Sequence, residues 1–418
     1  MALWITERLG TARWGDPEVG DVRVVDVRDL LDRGGNARSV VADRIDAAVR
    51  AVRERGRVVI CCDHGMSRSN AIAAGVLAKL DGIPFDEAAG RVVRLAGAAH
   101  VKTEMLATVR AALGEARERN RRGGRRSVLV TGGSGFVGKA LIERAGSRWE
   151  ICAPPRRQVD LLDGAAALSL ALRASRADTL VHLANPRIPV DIAAMGASIA
   201  MLKSALAACC TEGVRLVYLS GWMVYDGYRT DRILASEGLP RNPGGIYGET
   251  KELSESLIRM SAAREGTATA IVRPAMLYGG AGEKPRFLYH FLQRALSSQP
   301  IVTHRYRNGL PVVDLLHVED LARLLVEVVE SDFTGVVNAG SGDAISTADL
   351  AKRIATLAGA EGPTFTIDVE DETCGIVMDN ARATDKFGWS PEIDIDAGLG
   401  RIVERYSAAR APAFAAAA

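Results

Sequence analysis

The segment VLVTGGSGFVG, residues 128–138, admits few folds. Its apolar, β-branched start reads as a buried strand, glycines follow at once, and an apolar helical pattern begins at Lys139. In such a strand–loop–helix Gly133 permits a tight turn, Gly135 lets a pyrophosphate approach the backbone, and Gly138 lets helix and strand pack closely. The helix start then offers N–H groups to a phosphate. The cofactor loop on this reading comprises Gly132, Gly133, Gly135, Phe136, Val137 and Gly138. Downstream, strands expected at 127–131, 149–153, 179–183 and 215–219 alternate with helices expected at 139–145, 165–174 and 194–210. That alternation predicts an α/β fold with a Rossmann-type, doubly wound parallel sheet.

A second loop between an expected strand and an expected helix lies earlier. A strand expected at 57–61 runs into CCDHGMSRS, and an apolar helix is expected from about Asn70. Backbone N–H groups of 63–68 and the helix dipole can cradle a phosphate. Arg68 offers a planar fork for two phosphate oxygens. The same field favours the thiolate of Cys62, a nucleophile. Gly65 allows close backbone approach. A strand is also expected at 22–27 and a helix near 42–54.

Cys62, Gly65, Ser67, Arg68 and Ser69 resemble the loop of the dual-specificity cysteine phosphatases. The resemblance implies a mixed sheet flanked by helices, a phosphocysteine on Cys62, a phosphate held by Arg68, and thiolate release eased by Ser69. Cys61 stands where that family has a histidine, and could serve as a resolving thiol under oxidation. A general acid must protonate the leaving alkoxide; the resemblance implies Asp32, with Asp29 second.

Tyr247 and Lys251, four apart at an expected helix start, share one face. An ammonium near a phenol favours the phenolate, which suits a general acid/base. With the glycine loop they resemble the extended short-chain dehydrogenases, a family of sugar-nucleotide epimerases, dehydratases and reductases. Further matches are LVHLAN (180–185), LVYLSGWMVYDG (216–227), VRPAMLYGG (272–280), DLLHVEDLA (314–322) and FGWSPEIDIDAGL (387–399). The VYDG and IYGETK elements look most like the dTDP-4-dehydrorhamnose reductase group. The resemblance implies a small C-terminal substrate-binding lobe, Lys251 on the nicotinamide ribose, Asp160 at adenine, and Leu161, Leu183 and Ala184 lining the cofactor. Arg156 and Arg157, with no acid at the preceding strand tip, suit a 2′-phosphate and hence NADP, with NAD as the other option; plain surface charges are the bland reading.

Departures from that pattern are visible. The family's catalytic hydroxyl maps to Gly221, so Ser220 is the candidate to replace it. The family's asparagines map to Ser198 and Met276, and its diphosphate-binding arginine maps to Val313. Lys284, Arg286, Arg305 and Arg307 are candidate substitutes.

The expected organisation is a phosphatase-like unit at 1–114, a basic linker at 115–126, a dehydrogenase unit at 127–408 and an Ala-rich tail at 409–418. A net charge of +2 gives no electrostatic case for nucleic acid or membrane partners. No apolar run suggests a membrane span, the N-terminus lacks a signal-peptide pattern, and a cytoplasmic location is expected. No His/Cys spacing reads as a metal site. The expected substrate is a phosphorylated sugar or nucleoside-type sugar derivative, handled by both sites, with a homodimer left open. The alternative is a regulatory phosphatase, or a phosphate-binding pseudophosphatase, coupled to a dinucleotide-sensing unit.

Overall fold

The computed structural model describes residues 2–16, 22–32, 36–96, 101–113, 125–186, 191–280, 285–331, 333–360 and 362–415. The first sheet contains β1 (Leu3–Trp4), β2 (Leu9–Arg13), β3 (Arg23–Asp26) and β4 (Val58–Cys62). Its order is β1-β2-β4-β3, with β1 antiparallel to β2 and the other pairs parallel, so the sheet is mixed. Four helices accompany it: α1 (Arg38–Arg55), α2 (Arg68–Asp81), α3 (Phe85–Ala96) and α4 (Thr103–Ala112). Side chains alternate along a strand. Val58, Ile60 and Cys62 thus join the large core with Ile45, Ile72 and Met105, while Val59 and Cys61 join a small cluster beside Trp4. β1 and β2 escape sequence pattern; LGTAR has neither alternation nor a β-branched run.

The second sheet is wholly parallel. It begins with β5 (Arg126–Thr131), α5 (Phe136–Ala145), β6 (Trp149–Cys152), α6 (Ala166–Ser175), β7 (Thr179–His182), α7 (Ile192–Glu212) and β8 (Arg215–Leu219). There follow β9 (Ile233–Ala235), α8 (Ile246–Glu265), β10 (Thr269–Pro274), β11 (Met276–Tyr278), α9 (Arg286–Leu296), β12 (Ile301–Tyr306), β13 (Val312–Val313), β14 (Leu315–His317), α10 (Val318–Glu330) and β15 (Gly335–Ala339). The chain closes with β16 (Ile345–Ser346), α11 (Thr347–Leu357), β17 (Thr364–Val369), β18 (Ile376–Met378), α12 (Ala381–Phe387) and α13 (Ile395–Ala415). The sheet order β15-β10-β8-β7-β5-β6 reverses direction at β5, which opens a crevice at the carboxyl ends of β5 and β7. The short pairs β11–β14, β12–β17 and β13–β16 form a smaller lobe. Its own core includes Leu288, Phe291, Leu350, Ile354 and Ile402.

Three expectations change. Arg126 is not linker: it opens β5, is 2% exposed, lies 3.5 Å from Asp178 and donates to the Glu330 carbonyl at 3.0 Å. These partners are distant in sequence, so a local count of arginines misplaces it. The rest of the expected linker lies outside the described residues, Arg125 excepted. The tail is helical as far as Ala415, as part of α13. Finally, α7 is long and apolar enough to cross a membrane by length and composition. Here it is a crossover helix that packs Leu202, Ala205 and Cys209 against Leu180 and Leu216 of the sheet.

Candidate active sites

The first site forms where β4 ends. Gly65 takes a left-handed φ of 67°, and a Cβ there would fall 2.6 Å from the Arg13 amide nitrogen. The loop therefore lies flat against the strand next door and curls over the sulfur. Cys62 Sγ sits 3.3 Å from the Ser69 hydroxyl. Burial raises its pKa, but hydrogen bonds from the Ser69 hydroxyl and from the Ser69, His64 and Met66 amides outweigh that and leave the thiol below its ordinary value. Cys61, on the opposite face, has no such cradle, and burial pushes its thiol up to about 11. The adjacent cysteines thus lie on opposite faces of the sheet, Cys62 with a depressed thiol and Cys61 with a raised one. The alternate projection also corrects the idea of Cys61 as a resolving thiol.

Arg68 departs from expectation. One terminal nitrogen donates to the Arg28 and Leu30 carbonyls, each at 3.0 Å, and the other pairs with Asp63. Its Nε is buried without a partner. The fork expected to face a phosphate is turned onto the protein's own oxygens, because Asp63, one residue past the nucleophile, supplies a nearby anion. Asp32 reaches the edge of the cradle through Lys102. The Lys102 ammonium is 3.0 Å from its carboxylate, and the Lys102 amide donates to Ser67 Oγ at 3.2 Å. The other Asp32 oxygen is buried and unpartnered. Asp29, the second choice for the acid, pairs with Arg44 at 2.8 Å. Asp63 stands inside the loop motif but carries no phosphate-binding signal of its own, and Lys102 is brought to the site only by the fold.

The second site occupies the crevice of the parallel sheet. Gly132, not Gly133, makes the tight turn: its φ is 73°, and a Cβ would meet the Ala184 amide nitrogen at 2.7 Å. The loop after β5 thereby touches Leu183 and Ala184 after β7. A Cβ on Gly138 would strike the Gly133 Cα at 2.7 Å, so α5 can start only against a bare backbone. Gly133 faces Ala153 and Ile142, while Phe136 and Val137 form the first turn of α5. At the tip of β6, Arg156 Nε donates to Asp160 at 2.8 Å, and Asp160 also caps the Leu162 amide. These bonds hold the Asp160 carboxyl below its usual range. The Leu161 side chain is buried in the core rather than open to a cofactor.

Tyr247 and Lys251 come together on α8. The ammonium lies 5.5 Å from the Tyr247 ring centre and donates to the Leu219 carbonyl at 2.8 Å and the Tyr218 hydroxyl at 3.2 Å. His182 stacks on Tyr218 and bonds Thr131 at 2.8 Å. Burial, with Lys251 nearby, pushes His182 down to about 3, so it is neutral under the lysine. Tyr218 and His182 carried no motif in the sequence.

Ser220 does not replace the missing hydroxyl. It donates to Glu255 Oε1 at 2.7 Å, inside a buried network in which Arg273 Nε also donates to Glu255, at 2.8 Å. Just past the end of β8, the buried Ser220 side chain is directed to Glu255 of α8. Gly221 has extended backbone, φ 176° and ψ 168°, and a Cβ there would meet nothing within 4 Å. Ser198 bonds the Asn185 side chain at 2.8 Å. Met276 and Val313 line a cavity of about 110 Å³ beside Trp222. Arg307 pairs with Glu370 at 3.1 Å and Arg305 is exposed on β12. Lys284 and the Arg286 side chain lie outside the described residues.

Comparison with known proteins bears on this second unit. The model of the NAD dependent epimerase/dehydratase family matches residues 128–340. A dTDP-glucose 4,6-dehydratase of Neisseria meningitidis is 26% identical over 333 residues, covering 67% of this chain and 93% of that protein. A UDP-glucuronic acid decarboxylase of Xenopus tropicalis is 23% identical, covering 68% of this chain and 72% of the other. The crystal structure of UDP-glucose 4-epimerase from Thermus thermophilus in complex with NAD superposes with a TM-score of 0.59 at 22% identity, over 67% of this chain and 99% of that one.

Proposed function

Because the chain belongs to the NAD dependent epimerase/dehydratase family, we propose that its second unit carries out nicotinamide-linked chemistry at a hydroxyl-bearing carbon of a phosphorylated sugar or nucleoside-type sugar derivative. The observation that carries the reading is the Tyr247–Lys251 pair beside Leu219, at the same end of the sheet as the glycine turn. The residues fit the cofactor. Gly132 and Gly138 keep side chains out of the cradle, the α5 N-terminus offers amides to a diphosphate, and Lys251 is placed for a ribose. When bound, NAD supplies the hydride acceptor or donor. Tyr247 moves the proton of the substrate hydroxyl. Lys251, anchored on Leu219 O, holds its positive charge next to the phenol ring. Tyr218, on which neutral His182 stacks, contacts the lysine through its ring and hydroxyl. Arg157 is the residue that would extend the preference to NADP, since Arg156 is engaged with Asp160.

The first unit we read as a cysteine-dependent phosphomonoesterase. The Cys62 thiolate attacks phosphorus, the P–O bond to the alcohol breaks, Asp32 gives its proton to the leaving oxygen, and water then cleaves the S–P bond. The opposite shifts of Cys62 and Cys61 support this reading. Together the two units make a bifunctional metabolic enzyme. Product analysis tests it, with a panel of sugar phosphates, nucleoside monophosphates and nucleotide sugars, each with and without NAD(P). A product that is both dephosphorylated and redox-changed is expected. Absence of any nicotinamide-dependent product would refute the second-unit reading, and absence of phosphate release would refute the first.

A further inference from the structure

Two tyrosines face the Lys251 ammonium, and the nearer one has no part in the proton transfer proposed above. The ammonium lies 4.8 Å from the centre of the Tyr218 ring and 5.5 Å from that of Tyr247. Tyr247 is half-buried at the start of α8, whereas Tyr218 is 5% exposed on β8. Burial pushes the Tyr218 phenol well above its ordinary value, so it stays protonated and is no rival base. Its hydroxyl oxygen instead accepts from the ammonium at 3.2 Å, while the Leu219 carbonyl accepts a second N–H at 2.8 Å. An ammonium carries three N–H donors on a flexible stem. With two of them fixed by acceptors on β8, the direction of the third is set.

The acceptor is itself held from the cofactor side. Tyr218 pairs in register with His182 of β7, and His182 with Thr131 of β5, so the three side chains form one row across the parallel sheet. The His182 ring stacks on Tyr218 with 6.0 Å between centres, and its Nδ1 is 2.8 Å from the Thr131 hydroxyl. All three residues are buried. Because burial keeps His182 neutral, the row brings no second cation against the ammonium. Thr131 is followed at once by Gly132, the residue that turns the cofactor loop. The lysine and the glycine turn are thus set by one packed row.

We infer that Tyr218 is a positioning residue, whose ring and hydroxyl aim the third N–H of Lys251 at the nicotinamide ribose through a row anchored beside the glycine turn. The inference rests on the nicotinamide-linked reading of the second unit. It concerns the nicotinamide end of the cofactor alone, so half a dinucleotide without that ribose should not sense Tyr218.

The test is calorimetric titration of the full chain with NAD and with ADP, which lacks the nicotinamide ribose. Lys251→Met should weaken NAD about tenfold or more and leave ADP within about twofold of wild type. Tyr218→Phe keeps the ring and its stack and removes only the acceptor oxygen. It should weaken NAD about fivefold or more and again spare ADP. In the Lys251→Met background the same change should cost less than about twofold, because Tyr218 acts through the lysine. A Tyr218→Phe chain that loses NAD and ADP alike would overturn the inference, as would an undiminished loss in the Lys251→Met background. NAD bound equally by wild type and Lys251→Met would take the lysine off the ribose and the inference with it. Wild type that binds NAD, with Tyr218→Phe no weaker, sinks the positioning role alone. Wild type that binds no NAD sinks the nicotinamide reading beneath it.

Discussion

Replacing Gly221 with serine should raise the rate of hydride transfer. The backbone there is extended, so any residue can adopt it, and the first side-chain atom meets nothing within 4 Å. Removing a glycine also restricts the unfolded chain, so stability should hold or rise by up to about 1 kcal/mol. The new hydroxyl would project from the strand end that Lys251 grips, beside Trp222 of the cavity. A hydrogen bond to a group that becomes charged contributes about 1.5–3 kcal/mol, or roughly 10- to 160-fold in rate if it forms only in the transition state. Ser220→Ala is the paired control. Its hydroxyl bonds a buried carboxylate, so its loss should cost about 1.5–3 kcal/mol of stability and little turnover. Tyr247→Phe should lower turnover by about 10²–10⁴-fold. The assay is single-turnover nicotinamide absorbance on whichever substrate the product panel identifies, with melting curves on the same samples. If Ser220→Ala falls as far as Tyr247→Phe, and Gly221→Ser gains nothing, Ser220 is the working hydroxyl after all and the geometric reasoning is refuted.

The other expectations concern charge. With the Cys62 thiol depressed and the Cys61 thiol raised to about 11, iodoacetamide at neutral pH should label Cys62 and not Cys61, and Cys62→Ser should remove that label and abolish aryl phosphate hydrolysis. Mass spectrometry that finds Cys61 labelled first would contradict this. Asp63→Asn removes the anion that holds Arg68, so inorganic phosphate should inhibit about tenfold more tightly or better; weaker inhibition would show that Asp63 orders the cradle instead. Glu255→Gln unpairs Arg273, both being fully buried, and should cost about 3–5 kcal/mol in chemical denaturation. Burial raises the Glu255 pKa, but bonds from Arg273 and Ser220 prevail and depress it; the contribution is present above the ordinary carboxylate pKa and is lost as pH falls through the depressed value. Wild type should therefore lose its margin over this variant in acid, and a pH-independent margin would argue against the pairing. Arg157→Ala should weaken NADP(H) about tenfold or more and spare NAD(H) in calorimetry; equal losses for both would make Arg157 a general surface charge.

What the sequence disclosed follows from how local each feature is. Both loops were legible because their residues are consecutive and glycine has few substitutes in a bare-backbone turn. Which glycine turns was not, since only the contact of Gly132 with Ala184 decides it. The strand–helix alternation of the second unit was read to within a few residues because parallel strands buried on both faces are uniformly apolar. Ser220 was misjudged through period-two geometry, as its neighbour Gly221 is the one whose side-chain direction is open. Arg126 and Arg68 were misjudged for a shared reason. A guanidinium takes the oxygens the folded chain brings to it, from Glu330 in one case and from Leu30 in the other. No composition window contains such pairs.

The opposed cysteines of β4 have a bearing on peroxide. On the reading proposed above, the Cys62 thiolate also reduces hydrogen peroxide, which leaves a sulfenic acid on that sulfur. Many such centres survive because a thiol on the same side condenses with that acid and stops the ladder. Here the adjacent thiol lies through the sheet, in the small cluster beside Trp4, and is held protonated by its burial. Rescue must come from outside, by a small thiol able to enter a loop whose guanidinium is already occupied by Asp63. Brief oxidant exposure with glutathione present should leave a mixed disulfide on Cys62. The same exposure without it should carry the sulfur on to the sulfinic stage and permanently end the phosphate release proposed for the first unit, while the nicotinamide chemistry proposed for Tyr247 and Lys251 continues.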